Sequence, residues 1–139
     1  VMNTSSVREL RNWFIEKFRE CNANMHTKKN EHENSLVQRA KEYINENYRK
    51  DLSLDELSRE LGISPYYFSK IFKDETGENF IEYLTRVRIE KAKEFLKQPD
   101  VTIKEAGIQS GYTDPNYFSR IFKKQTDMTP SEYKTRYGK

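Results

Sequence analysis

The sequence predicts an all-α fold in which two helix-turn-helix subdomains are joined by a long central helix and preceded by an N-terminal helical appendage. Three observations carry this expectation. Apolar residues recur at three- and four-residue intervals along most of the chain, the spacing of amphipathic helices. Glycine and proline are scarce, five and four in 139 residues, which leaves too few turns for a many-stranded architecture. Residues 65–83 (PYYFSKIFKDETGENFIEY) also return at residues 115–133 (PNYFSRIFKKQTDMTPSEY), with ten of nineteen positions identical at an offset of 50.

Residues 6–20 place Val7, Leu10, Phe14 and Phe18 at helical spacing with Trp13 alongside, an amphipathic helix whose stripe needs a surface to cover it. From Cys21 to Asn34 there is almost no apolar residue and no period, so this stretch reads as a polar linker. Residues 1–34 thus form the appendage and residues 35–139 the main domain. Residues 36–49 put Leu36, Val37, Ala40, Tyr43, Ile44 and Tyr48 on one face. Ser53-Leu54-Asp55-Glu56 has the form of a capping box, Ser53 accepting from the Glu56 amide and the Glu56 carboxylate reaching back. The helix it opens ends at Gly62. Ser64-Pro65 opens another, with Ser as N-cap and Pro in the first turn, and Gly77 stops it. The first helix-turn-helix therefore covers about residues 53–77. A linker helix over residues 79–98 would be about 30 Å long, and Pro99 ends it.

After Pro99 the same order returns. Thr102-Ile103-Lys104-Glu105 is a second capping box, Gly111 a second turn glycine, and Asp114-Pro115 a second cap with Pro in the first turn. The second helix-turn-helix covers about residues 102–127, and Thr129-Pro130-Ser131-Glu132 starts a short last helix. Two units are too few for a solenoid, so the duplication points to a paired reader.

Composition excludes more than it selects. Lys and Arg total 25 against 22 Asp and Glu, and a net charge of +3 neither requires nor forbids nucleic acid. Cys21 is the one cysteine, so no internal disulfide is expected, and with His26 and His32 in a polar stretch it makes neither a catalytic pair nor a zinc spacing. The sequence contains no P-loop, dinucleotide fingerprint or nucleophile elbow. No enzyme activity, metal or cofactor is therefore expected. No apolar run reaches membrane-spanning length and no secretory leader is evident, which predicts a cytoplasmic chain with no membrane partner. The opening Val1-Met2 suggests a fragment of a longer protein.

The chemistry lies in how the second helix of each unit divides its faces. Phe68, Ile71 and Phe72 make one stripe, with Tyr67 beside it. Tyr66, Ser69, Lys70 and Lys73 make the opposite one, at i, i+3, i+4 and i+7. In the second unit Phe118, Ile121 and Phe122 oppose Asn116, Ser119, Arg120 and Lys123. Both outward stripes mix hydrogen-bonding groups with cations and contain no carboxylate. Ordinary solvated faces also mix Lys with Ser, so one such stripe would mean little. Two at matched positions in a helix-turn-helix frame predict double-stranded DNA. Cations near phosphates supply affinity, while Arg, Lys, Asn and Ser reach base edges. Arg120 suits bidentate contact with guanine, and Asn116 suits adenine.

These residues resemble the AraC/XylS family of transcription regulators. The resemblance spans about residues 35–137. Its most specific stretch is GYTDPNYFSRIFKKQTDMTPSEY at 111–133, supported by LGISPYYFSKIFKDETGENFIEYL and by RIEKAKEFL at 88–96. The chain is similar in particular to the output domains of YesN-like response regulators. The resemblance implies a promoter-binding regulator, usually an activator, that works with RNA polymerase and has its sensor or receiver domain outside this sequence. It implies base-reading positions at Tyr66, Ser69, Lys70, Asn116, Ser119 and Arg120. Phosphate contacts would come from Lys73, Lys123 and Lys124 and from helix starts at Ser53 and Thr102, with Arg88 structural. The chain departs from the family pattern where Ala106-Gly107 replaces Ile-Ala, Ser110 a common Val, Asp127 a Gly and Lys134 an Arg. The lost apolar area predicts a less rigid second unit.

One competing reading is a helical protein-interaction module with incidental DNA affinity, suggested by the aromatic content and the N-terminal helix. That helix also leaves a homodimer open.

Overall fold

A computed structural model describes residues 23–138 of the chain. Among the described residues every element is an α-helix: α1 (Ala23–Asn47), α2 (Leu54–Leu61), α3 (Pro65–Thr76), α4 (Phe80–Leu96), α5 (Ile103–Gln109), α6 (Pro115–Thr126) and α7 (Pro130–Tyr137). The helix expected over residues 6–20 lies outside the described residues. No helix of the described residues is long and apolar enough to cross a membrane.

Two boundaries differ from the sequence expectation. The polar stretch read as a linker is helical from Ala23 onward and runs into α1 without a break. Lack of an apolar stripe removes a reason to pack, not the capacity to form a helix. Residues 23–34 contain no Gly or Pro, and Ala, Met, Lys and Glu are good helix formers. Lys29 and Glu33 also stand four residues apart, within reach along one face. The central helix α4 has 17 residues, about 26 Å, rather than twenty. It stops at Lys97 because Pro99 biases Gln98 away from the helical region.

The compact unit beginning at Val37 contains both repeats. Local chemistry sets each helix. Ser53, Ser64, Asn79, Thr102, Asp114 and Thr129 are all N-caps, each accepting from a backbone amide two or three residues on. The Thr102–Glu105 capping box closes in both directions, as expected. The Ser53 box closes in one direction only: Ser53 accepts from the Glu56 amide at 3.1 Å, while Glu56 Oε1 accepts from the Tyr43 hydroxyl at 3.4 Å. Gly62 and Gly77 end α2 and α3 in the left-handed region. Asp127 does the same for α6 at φ 64°, a conformation that costs a non-glycine residue about 1–2 kcal/mol.

The offset of 50 extends from sequence into geometry. Phe72 meets Tyr83 edge-on at 5.3 Å, and Phe122 meets Tyr133 edge-on at 5.4 Å. The Thr76 hydroxyl lies 2.7 Å from the Phe72 carbonyl and accepts the Glu78 amide. The Thr126 hydroxyl lies 2.8 Å from the Phe122 carbonyl and accepts the Met128 amide. Each unit therefore locks the exit of its second helix in the same way. α4 connects them. Phe80 packs edge-on against Phe68 in the first unit, while Ile89, Ala92 and Leu96 join the buried cluster of Ala106, Tyr112, Phe118, Phe122 and Tyr133.

The small residues of the second unit are closely packed. Gly107 is buried because α5 lies directly on the Phe118 ring, and a Cβ there would fall 2.8 Å from Phe118 Cδ2. Ser110, fully buried, donates to the Gly107 carbonyl at 3.0 Å. The apolar area lost at 107 is replaced by aromatic contact. Gly107→Ala is therefore expected to destabilise the protein. Overpacking a close core contact costs about 1–3 kcal/mol and outweighs a helix-propensity gain of about 1 kcal/mol. Urea unfolding measures the difference, and a raised midpoint would contradict the packing account.

Candidate nucleic-acid interface

Each recognition candidate is held by its own buried side. In α3, Phe68, Ile71 and Phe72 are at most 2% exposed. That turns Tyr66, Ser69, Lys70 and Lys73 to solvent, and Tyr66 is 83% exposed. In α6, Phe118 and Phe122 are buried, while Ile121 is only partly buried against the same cluster. Asn116, Arg120, Lys123 and Lys124 are exposed, and Ser119 is half-buried. The structure thus brings four expected residues together along α3 and five along α6. Among the described residues no carboxylate forms an ion pair with Lys70, Lys73, Arg120, Lys123 or Lys124. Their positive charge is available to an external anion.

Asp114 accepts from the amides of Asn116 at 2.9 Å and Tyr117 at 3.4 Å, which fixes the start of α6. The Arg120 guanidinium carbon lies 5.8 Å from the centroid of Tyr117, one turn earlier. A cation over a ring face is attracted by its quadrupole, so Tyr117 restrains Arg120 before any ligand arrives. Sequence reading did not single out Tyr117. Its signal was the three-residue spacing to Arg120, which places the two side chains on neighbouring turns. Tyr117 itself leans on Tyr112 at 5.9 Å.

Ser53 and Thr102 sit apart from these stripes, at the starts of α2 and α5, with their hydroxyls accepting from Glu56 and Glu105 amides. Glu105 also takes the Thr102 amide at 3.2 Å, and Asp55 and Glu56 occupy the first turn of α2. Carboxylates already complement the positive ends of both helices.

Other cations are engaged within the protein itself. Arg88 donates through Nε to the Tyr48 carbonyl and through Nη2 to the Lys50 carbonyl, both at 2.8 Å. Its structural role is as expected. Burial pushes the Tyr112 phenol above its ordinary value, while the Arg88 guanidinium pulls it the other way. Lys134 Nζ donates to the carbonyls of Leu96 at 3.1 Å and Gln98 at 2.8 Å, closing the C-terminal end of α4. Arg86 pairs with Glu78 at 2.9 Å.

Two helix-turn-helix units on one shared helix, each turning a cationic stripe outward, define a tandem helix-turn-helix DNA-binding module. The chain belongs to the helix-turn-helix domain family, of the AraC/XylS type, whose family profile matches residues 57–136. It is 38% identical over 80 residues to the HTH-type transcriptional activator Btr of Bacillus subtilis, covering 58% of this chain and 15% of that protein. The chain therefore spans only a small part of that relative's length. Among solved structures, it matches the C-terminal domain of AraT, a response regulator from Geobacillus stearothermophilus. The identity is 36% and the TM-score 0.72, over 75% of this chain and 87% of that one. It also matches the C-terminal domain of the two-component response regulator yesN from Fusobacterium nucleatum, at 36% identity and TM-score 0.66, over 73% and 96% of the two chains. By family and fold the chain is an AraC-type helix-turn-helix DNA-binding domain.

Lys134→Ala is expected to lower stability by about 1 kcal/mol through loss of the α4 carbonyl contacts. The salt dependence of DNA binding should stay as in the parent protein. A shallower salt slope would place Lys134 on the DNA instead.

Proposed function

We propose that this chain reads two successive major-groove segments of a promoter with α3 and α6, without catalysis, in the cytoplasm. Tyr66, Ser69 and Lys70 face one set of base edges, and Asn116, Ser119 and Arg120 the other. Lys73, Lys123 and Lys124 take phosphates. Ser53 and Thr102 add only their hydroxyl hydrogens, because first-turn carboxylates already occupy the positive ends of α2 and α5. The regulator activates transcription by placing a neighbouring surface, or a domain beyond this sequence, against RNA polymerase. That Btr of Bacillus subtilis is a transcriptional activator supports that direction.

One observation carries the reading: two helices related by the 50-residue repeat turn unpaired cations and hydrogen-bonding groups outward from the same aromatic anchors. Selection of bound sites from a random duplex pool tests it. A motif in two parts is expected, and enrichment of no sequence would refute base reading.

Two substitutions separate the roles. Arg120→Ala is expected to lose about 1–3 kcal/mol at particular base pairs and to relax preference there, as read by competition among single-base operator variants. Weakening that is equal on all sequences would remove it from the base-reading set. Lys123→Ala should weaken specific and random DNA alike and reduce the slope of log affinity against log salt by about 0.9. An unchanged slope would exclude a phosphate contact.

A further inference from the structure

The two turn glycines end equivalent helices, yet their surroundings differ. Around Gly62 a Cβ would meet nothing within 4 Å, so only its left-handed backbone needs glycine. At Gly111, with φ 110°, a Cβ would lie 2.8 Å from the Tyr48 carbonyl oxygen and 2.9 Å from Arg88 Nε. The turn of the second helix-turn-helix therefore rests against the residues that follow α1 and lead into the first. Arg88 fills the junction. Its guanidinium takes two carbonyls of the 48–50 segment, and its carbon stands 5.5 Å from the centroid of Tyr112, which follows Gly111. Nothing in the repeat requires this contact, since each unit is complete with its own caps and aromatic pair. It belongs to the space between the units.

We propose that Arg88 is a positioning residue for DNA recognition: by holding the Tyr48 and Lys50 carbonyls on one side and the Gly111–Tyr112 turn on the other, it fixes the separation at which the two recognition helices read. The inference rests on the two-helix reading above and adds what sets the half-site spacing. The geometry suits arginine in particular. A planar fork serves two carbonyls in fixed directions while its face stacks on a ring, which a single ammonium point charge cannot reproduce. A shift of one base pair moves a half-site by about 3.4 Å along the axis, so a junction held at hydrogen-bond distances can discriminate it. The Arg88 junction joins the two units at a point besides α4.

Selection from random duplexes, using the full 139-residue chain and the variants Arg88→Lys, Gly111→Ala and Gly62→Ala, tests this by the distance between half-motifs. Circular dichroism sets the temperature at which each variant keeps parental helix content. The parent protein should select one spacing. Arg88→Lys and Gly111→Ala should keep both half-motifs but accept neighbouring spacings, the penalty for a one-base-pair insertion falling about tenfold, as for one charged hydrogen bond. Gly62→Ala shares the backbone strain without the contact and should keep the parental spacing. Undiminished spacing discrimination in Arg88→Lys and Gly111→Ala would overturn the inference and leave the two-helix reading standing. Loss of both half-motifs together would also overturn it, because it would mark general disruption rather than positioning. A parent protein that selects no paired motif would overturn both.

Discussion

Seven of the seventeen residues of α4 are buried on behalf of two cores, and the rest of the domain is arranged around that demand. Phe80, Tyr83, Leu84 and Val87 are buried in its first half, and Ile89, Ala92 and Leu96 in its second. A helix with one apolar stripe could serve one unit. α4 instead carries apolar residues around more of its circumference, which leaves Ile81, Glu82, Arg86, Glu90 and Glu94 as its exposed positions. Neither helix-turn-helix could keep its recognition helix aimed without this shared wall. A pair of helices this short has too little apolar area to hold itself together.

Against that wall each unit uses the same aromatic ladder, and the differences between units are compensated locally. The first places Phe80 against Phe68. The second has the buried Pro130 at the matching position, and Tyr112 lies beside Phe118 instead, at 5.6 Å. Ring count is kept while the ring's source moves from the shared helix to the turn. Gly107 accompanies this change: the Phe118 ring, which Tyr112 lies beside, fills the space where a side chain on α5 would stand. Duplication followed by such exchanges preserves the direction of the outward face, because that direction depends on the buried pair Phe118 and Phe122 and not on what surrounds it.

How legible this was depended on the range of the interaction. N-caps, turn glycines, face division and the exit of each recognition helix are local, within four residues, and the sequence displays them directly. The α3 stripe matched in full, and in α6 only Ile121 and Ser119 were less cleanly divided between inside and outside. The misread linker had a local cause too, since periodicity reports packing whereas helix formation also follows propensity. Contacts 36 to 40 residues apart were a different matter. Lys134 on the α4 carbonyls and Arg88 on Tyr48 and Lys50 leave no pattern in one sequence, because backbone carbonyls accept from any cation brought near. Family resemblance made Arg88 structural; only coordinates could say what it holds. The base-facing assignments are legible as positions on a face, while the partner groups on DNA belong to the proposal.

The near-neutral charge of the chain follows from the same sorting. Arg88 and Lys134 are spent on carbonyls, and Arg86, Lys91 and Lys93 stand beside carboxylates of their own helix or the turn before it. The cations left without an ion pair include those on α3 and α6. The two helices are unequal, however. After its stripe α3 continues with Asp74 and Glu75, whereas α6 continues with Lys124 and Gln125. Carboxylates one turn from Lys70 and Lys73 weaken the local field at exposed positions, within the roughly 8 Å over which such charges act at physiological salt. Under the proposed function, phosphate attraction therefore concentrates on α6, and α3 relies more on the groups assigned to bases, Tyr66 foremost. A net charge of +3 conceals this division, because affinity for a polyanion depends on where unpaired cations stand and not on their excess over the whole surface.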